Sequence, residues 1–240
     1  MTLNEICRRK GNEKGQKVKY FNKSCTPHVS VIVPTLNEVE NINALIGRLL
    51  QAFRSTAYSV EILIADGGST DDTHTKVAAW ASQMPVRLVH ANSGHGLAGD
   101  VLVAARMARA NVTMVLDADL SHSAEMAPAL AKPVLDGTHD MVIGSRYVEG
   151  GETADWSWKR RAMSRAAGIL AWPLVEVHDP TSGFFSIRRE KLLTVDPKAE
   201  GFKILLEALL GGDDDLCVKE MPRRFFYRIA YGYLGERRNP

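Results

Sequence analysis

Val112-Thr113-Met114-Val115-Leu116-Asp117-Ala118-Asp119-Leu120-Ser121-His122 is an apolar run that ends in two carboxylates. Four apolar residues and Thr113 in a row suit a strand covered on both faces, as in a parallel sheet. In an extended chain, side chains at i and i+2 share a face, so Asp117 and Asp119 are expected to meet one cation. Open α/β folds place ligands at the carboxyl edge of their strands, which is where this strand delivers the pair. Oxygen ligands suit Mg²⁺ or Mn²⁺, ions that keep several waters and complete their shell from substrate phosphates. The first expectation is therefore a diphosphate held through a metal. Asp-x-Asp alone is a weak signal that mostly marks a turn or a solvated strand end, and it is the position after a strand and before Ser121 and His122 that favours a site.

Outward from this stretch, strand and helix patterns alternate. Residues 29–33 read as a buried strand stopped by Pro34. Asn37 follows as an N-cap with Glu40 three positions on, then Ile42, Leu45, Ile46, Leu49, Leu50 and Phe53 at helical spacing. A second unit has a strand at 60–65, a Gly- and Asp-rich turn at 66–72 and a helix at 73–83. A strand at 86–90 and a helix at 97–110 lead into the acidic stretch, after which a helix is predicted over 126–135 and a short strand over 141–143. Such alternation implies parallel strands with helical crossovers, hence a doubly wound α/β sheet.

Past Arg146 the alternation fades. Gly150 and Gly151 mark a turn, and Trp156, Trp158, Ile169, Leu170 and Trp172 lie among Lys159, Arg160, Arg161 and Arg165. A basic amphipathic stretch with tryptophans suits a lipid interface, and a helix packed on the sheet shows the same pattern.

The 240 residues suffice for a sizeable core, and 45% hydrophobic with 24% charged residues is ordinary for a globular protein. The net charge of +2 hides an asymmetry. Residues 1–28 carry seven Lys and Arg against two Glu, so the remainder is net acidic. Such a basic leader reads as a solvated, flexible extension, with an anionic membrane surface or nucleic acid as the other readings. It has no apolar core of signal-peptide length, so export is not expected. No stretch reaches the apolar length of a spanning helix, which predicts that any lipid partner is met from the water side. Cys7, Cys25 and Cys217 are odd in number and lack metal-site spacing, as suits a reducing cytosol.

The first two strand ends, Pro34-Thr-Leu-Asn-Glu38 and Asp66-Gly-Gly-Ser-Thr-Asp71, are expected beside the acidic pair. Asp66 could accept from a base N–H or a ribose hydroxyl, and gathered carboxylates need a cation to offset their repulsion. The series VSVIVPTLNE, ADGGSTDDT, LDADLSH, IGSRYVEGG, DPTSGFF and GFKILLE, in this order, resembles the family 2 glycosyltransferases that act on polyprenyl phosphates, above all the dolichyl-phosphate mannosyltransferases. The likeness covers roughly residues 29 to 230.

The resemblance implies a GT-A, Rossmann-like fold with a mostly parallel central sheet and helices on both faces. It implies one catalytic domain over residues 29–240, with a nucleotide-sugar half at 29–144 and an acceptor-facing half at 145–240. The implied activity is metal-dependent, inverting transfer of a hexose, mannose first, from a nucleotide diphosphate sugar (GDP-mannose or a UDP-hexose) to a polyprenyl phosphate. Carried over by motif, Pro34, Thr35, Glu38, Asp66 and Asp117 would hold the nucleotide, and Asp117, Asp119 and Ser121 the Mg²⁺ or Mn²⁺. Arg146, Arg160 and Ser164 would grasp the acceptor phosphate; Asp119, Arg146, Lys203 and Arg228 would serve the reaction itself. The implied location is the cytoplasmic face of a membrane, peripherally bound, with a membrane-anchoring protein as a possible partner and no nucleic acid.

Electrostatics supports this mapping independently. Two anionic phosphates must approach each other, and a divalent cation with several Arg and Lys side chains offsets their repulsion. A phosphate oxygen is already a nucleophile, whereas a hydroxyl acceptor needs a base, for which Asp179 and Glu207 are the carboxylates left. Three departures stand out: Asp66-Gly67 where relatives commonly have consecutive aspartates, His95 before Gly96-Leu97, and Gly232-Tyr-Leu-Gly-Glu-Arg-Arg238 in place of a Gly-x-Ser-Lys-Leu close. The alternatives are a UDP-glucose or UDP-N-acetylhexosamine donor, a hydroxyl acceptor, a sugar-phosphate nucleotidyltransferase, a phosphatase or phosphotransferase with an Asp nucleophile, or a non-catalytic nucleotide-sugar binding subunit. The nucleotidyltransferase would open with a Gly-rich basic loop after its first strand, where this chain has Pro34-Thr-Leu-Asn-Glu38.

Overall fold

The computed structural model describes residues 26–91, 94, 96–149, 177–196, 203–211 and 216–222. In chain order the elements are β1 (Val29–Thr35), α1 (Ile42–Arg54), β2 (Val60–Asp66), α2 (Thr73–Ala81), β3 (Val86–His90), α3 (Gly96–Met107) and β4 (Val112–Leu116). A 3₁₀ turn (Ala124–Met126), α4 (Ala127–Leu135), β5 (Met141–Ser145), β6 (Phe184–Arg188), α5 (Arg189–Leu192), α6 (Ile204–Leu210) and β7 (Val218–Pro222) follow. The strands form one sheet in the order β3-β2-β1-β4-β6-β5-β7. β1 to β4 run parallel to one another, β6 is antiparallel to both its neighbours, and β5 pairs with β7 in parallel. The sheet is thus α/β and mostly parallel, as expected.

Period-2 alternation sorts the strand side chains onto two faces. Val29, Val31 and Val33 of β1 and Val60, Ile62 and Ile64 of β2 pack with Leu45, Ile46, Leu49, Val77, Trp80 and Leu130 of α1, α2 and α4. Ile32, Leu63, Val115, Phe185 and Ile187 face the other way, onto Val101, Leu102, Ala105, Leu192 and Leu205 of α3, α5 and α6. All six apolar positions at helical spacing in α1 are buried. Burying each such side chain is worth about 1.5–3 kcal/mol against leaving it in water, so these stripes hold the three layers together.

Three local expectations differ. β1 does not stop at Pro34 but runs through it to Thr35. Its pairing with β4 ends at Ile32↔Val115 while that with β2 continues to Thr35↔Asp66, so at Pro34 one side of the strand has no neighbour to miss the absent N–H. Asn37 is not a helix cap; it sits at φ 58°, a left-handed conformation that Asn tolerates, and α1 begins only at Ile42. Its Oδ1 instead accepts from Thr70 N–H at 2.8 Å, and its own N–H donates to Ser69 Oγ at 2.8 Å, tying the loops after β1 and β2 together. β6 had no counterpart in the strand pattern, since Phe184-Phe185-Ser-Ile-Arg188 falls where the regular alternation has broken off.

Candidate functional site at the carboxyl edge of the sheet

Because β1 to β5 point the same way, Thr35, Asp66, His90, Leu116 and Ser145 end at one edge, and antiparallel β6 starts there, just after Gly183. This edge therefore collects the strand exits that carry Pro34, Thr35, Asp66 and Asp117.

At the β1 and β2 exits, Pro34 is buried and Thr35 is 5% exposed. The Thr35 carbonyl accepts from Gly67 N–H at 2.9 Å. Asp66, 1% exposed, organises the following turn: its Oδ2 accepts from Gly68 N–H and Ser69 N–H, both at 2.9 Å, and lies 2.8 Å from His74 Nε2. Burial pushes this carboxyl up, but the hydrogen bonds from Ser69, His74 and Gly68 outweigh it and hold the group below the usual carboxylate range. Its Oδ1 is buried without a hydrogen-bond partner. Glu38 is half-buried; its N–H donates to Thr73 Oγ1 at 3.1 Å and its carboxylate accepts from Asn41 Nδ2 at 2.8 Å. Beside Gly67, where relatives were expected to carry a second aspartate, a β-carbon would meet Asp100 Oδ2 at 2.8 Å. A carboxylate thus reaches this spot from α3 rather than from the β2 turn.

The acidic pair lies at the exit of β4. The strand ends at Leu116, so Asp117 and Asp119 are disposed by the turn that follows, in which Leu120 has φ 57°, and not by strand alternation as the spacing suggested. Asp117 is half-buried, its N–H donates to the Gly183 carbonyl at 3.3 Å, and its Oδ2 is 3.3 Å from Nε2 of buried His122. Asp119 is exposed and its Oδ1 accepts from the N–H of exposed Ser121 at 2.9 Å. A β-carbon on Gly183 would overlap the Asp117 carboxylate, so glycine there makes room for it.

Arg146 leaves the end of β5 and is 9% exposed. Its Nε donates to Asp179 Oδ2 at 2.8 Å, one terminal nitrogen donates to Asp179 Oδ1, and the same nitrogen reaches Thr181 Oγ1 at 3.0 Å. Asp179 also accepts from the Arg146 N–H at 2.9 Å. Burial works against the guanidinium charge, but Asp179 first, then Tyr147 and Asp117, favour it and raise its pKa. The charge of Asp117 therefore reaches Arg146 across the edge. Asp179, fully buried and gripped by Arg146, is not placed to take a proton from a hydroxyl acceptor. The segment is anchored further by Glu220 of β7, which accepts from Asp179 N–H at 3.0 Å and His178 N–H at 2.8 Å.

Lys203 is exposed at the start of α6, which packs with α3 on the opposite face from α1. Arg160, Ser164 and Arg228 lie outside the described residues, as do the tryptophan-rich stretch and the basic leader. Thr181, Gly183 and Glu220 escaped the sequence reading, because their roles rest on contacts across 30 to 70 positions; the DPTSGFF motif was the only signal for the first two. No described helix is long and apolar enough to cross a membrane.

The family model described as Glycosyl transferase family 2 matches residues 30–195. The chain is 38% identical over 204 residues to a dolichol-phosphate mannosyltransferase of Pyrococcus furiosus, a match covering 83% of this chain and 57% of that protein. It is 34% identical to the Saccharomyces cerevisiae dolichol-phosphate mannosyltransferase, covering 83% and 78%. To a polyprenol monophosphomannose synthase of Mycolicibacterium smegmatis it is 35% identical, covering 72% and 66%. Among solved structures, glucosyl-3-phosphoglycerate synthase from Mycobacterium tuberculosis, in complex with Mn²⁺, UDP and glucosyl-3-phosphoglycerate, superposes with a TM-score of 0.59 at 21% identity, covering 82% of this chain and 70% of that one. That likeness concerns the fold. The chain spans little more than half the length of the Pyrococcus relative.

Proposed function

Since the chain belongs to glycosyl transferase family 2, we propose that it transfers a hexose, mannose first, from a nucleotide diphosphate sugar to a polyprenyl phosphate at a membrane surface. The carrying observation is that the exits of β1, β2, β4 and β5 share one edge, with an oxygen-only acidic pair at its centre and, at the end of β5, a buried arginine whose charge Asp117 favours. The relatives named as acting on dolichol or polyprenol phosphates support the acceptor class.

The donor set at β4 fits a divalent ion. Asp117 and Asp119 offer only carboxylate oxygens, the choice of Mg²⁺ and Mn²⁺, and Gly183 leaves the first of them space. When bound, such an ion offsets the negative charge that grows on the departing diphosphate. Pro34, Thr35 and Glu38 line the nucleoside end, with Asp66 shaping the turn beside them. Arg146, held in place by Asp179 and Thr181, with Glu220 bracing the Asp179 backbone, supplies a fixed positive charge near the incoming phosphate. Preorganised charge of this kind needs no rearrangement at the moment of reaction. Ser121, Arg160, Ser164, Lys203 and Arg228 complete the proposed set. The acceptor is a phosphate oxygen that attacks without a base, in keeping with Asp179 being occupied.

The test incubates purified protein and Mn²⁺ with a short polyprenyl phosphate and a panel of nucleotide sugars, and measures lipid-linked hexose and released nucleoside diphosphate. Product is expected with the phosphate and not with the phosphate-free polyprenol, and it should fall at least a hundredfold in Asp117→Asn. Product from the free alcohol alone, or unchanged turnover in Asp117→Asn, would overturn the reading.

A further inference from the structure

We propose that Asp66, His74 and His90 form a second cation site, suited to a Zn²⁺-class ion, separate from the aspartate pair at β4. The three residues come from different elements, and the fold brings them together for a clear reason. Val60, Ile62 and Ile64 of β2 face the layer of α1, α2 and α4, so Asp66, two positions on, faces it too. Val86 and Leu88 of β3 face the same layer, and so does His90. Asp66 and His90 are direct neighbours in the β2–β3 register. His74 sits in the first turn of α2, the helix that covers this corner.

The geometry is close to that of a metal site. Asp66 Oδ2 and His74 Nε2 are 2.8 Å apart, and the two imidazoles stand edge-to-face with centroids 5.2 Å apart. One ligand atom from each residue falls within 4.8 Å of the others. Ligands about 2.0–2.2 Å from a shared ion lie roughly 3–4 Å from one another, so a small rotation of exposed His90 closes the set.

A second observation points the same way. Asp66 is 1% exposed, yet its Oδ1 has no partner. A buried acceptor left without a donor or cation is costly. A plain Asp66–His74 pair would occupy Oδ2 alone, leave Oδ1 unsatisfied and make no use of His90. With an ion on Oδ1, Oδ2 keeps its bonds to the Gly68 and Ser69 N–H groups, and His74 Nε2 exchanges its contact with Oδ2 for the metal.

The donor chemistry separates this corner from the acidic pair. Two imidazole nitrogens and one carboxylate oxygen select Zn²⁺, Co²⁺ or Ni²⁺ over Mg²⁺ and leave a coordination position open to water or an anion. With strands about 4.8 Å apart, Asp66 and His90 are roughly 10 and 14 Å along the edge from β4. An ion here would clamp the ends of β2 and β3 to the start of α2.

The test uses tag-free full-length protein, stripped of metal and titrated with Zn²⁺ by calorimetry and with Co²⁺ by visible absorption. One tight equivalent is expected in the native chain, with Co²⁺ bands showing nitrogen ligation and a rise in melting temperature on Zn²⁺ addition. His90→Gln and His74→Gln should each weaken it at least tenfold and abolish the rise, with circular dichroism unchanged. Asp119→Asn should leave it in place. Absence of a tight equivalent, its persistence in both histidine variants, or its loss in Asp119→Asn would overturn the proposal. The readout is metal content, so its failure would leave the sugar-transfer reading untouched.

Discussion

Gly183 and Asp117 fit together so closely that a single methyl group between them has no space: a β-carbon at position 183 would overlap the Asp117 carboxylate. The contact crosses from the start of β6 to the exit of β4, and the Asp117 N–H donates to the Gly183 carbonyl at the same point. β6 therefore sets where the proposed metal ligand can stand.

Gly183→Ala should thus act on the site more than on the fold. The new methyl displaces Asp117 by about the distance that costs on the order of 100-fold in a positioned reaction. We expect Mn²⁺ affinity and hexose transfer to drop at least tenfold, with overpacking costing about 1–3 kcal/mol in urea unfolding. Native Mn²⁺ affinity in this variant would contradict the close fit.

The Arg146–Asp179 pair makes a prediction about stability. Arg146→Ala leaves a fully buried carboxylate without its charge partner, a change that typically costs about 3–5 kcal/mol. Arg146→Lys keeps the charge but loses the two-pronged geometry and should recover only part of this. Unfolding midpoints of the two variants against the native chain measure the difference.

Gly67→Ala meets the end of the Asp100 side chain, which can swing aside. The expected cost is below about 1 kcal/mol, and removing the obstacle with Asp100→Ala should relieve it. A double-mutant cycle on thermal stability gives the coupling; additive effects would mean that the two side chains do not compete for space.

Acid stability follows from carboxylates whose pKa is lowered in the folded state. Arg48 is the main cause for Glu125, which is brought down to about 2 from 4.5. Glu61 and Asp66 are lowered as well; burial opposes this, but Ser30 and Arg109 outweigh it at Glu61, and Ser69 and His74 at Asp66. A group lowered on folding contributes stability that is present above its unfolded pKa and lost as pH falls through the folded one. For Glu125 the window runs from about pH 5 down to about 2. The pair is partly exposed, so Glu125→Gln should remove less than about 1 kcal/mol at pH 7 and flatten the acid slope accordingly.

Much of the fold was legible because the signals are local. The β-rich run Val112 to Leu116 before Asp117, the helical spacing from Ile42 to Phe53 and the Gly-rich turn after Asp66 each state their structure within a dozen positions. The elements that escaped depend on distant partners. β6 is a strand because β4 and β5 lie on either side of it, and Pro34 stays within β1 because β4 has already ended.

The sequence by itself determined the layer order of its first half, the edge to which its acidic motifs are delivered and the chemistry those residue types allow, since periodicity and donor type are properties of the residues. Only the tertiary structure decided which of those groups are engaged. Asp179 holds Arg146, Asp66 organises its own turn while one oxygen stays bare, and His74 and His90 meet it from two other elements. Such pairings arise where packed layers bring residues far apart in the chain to within a few ångströms, and no local pattern encodes that distance.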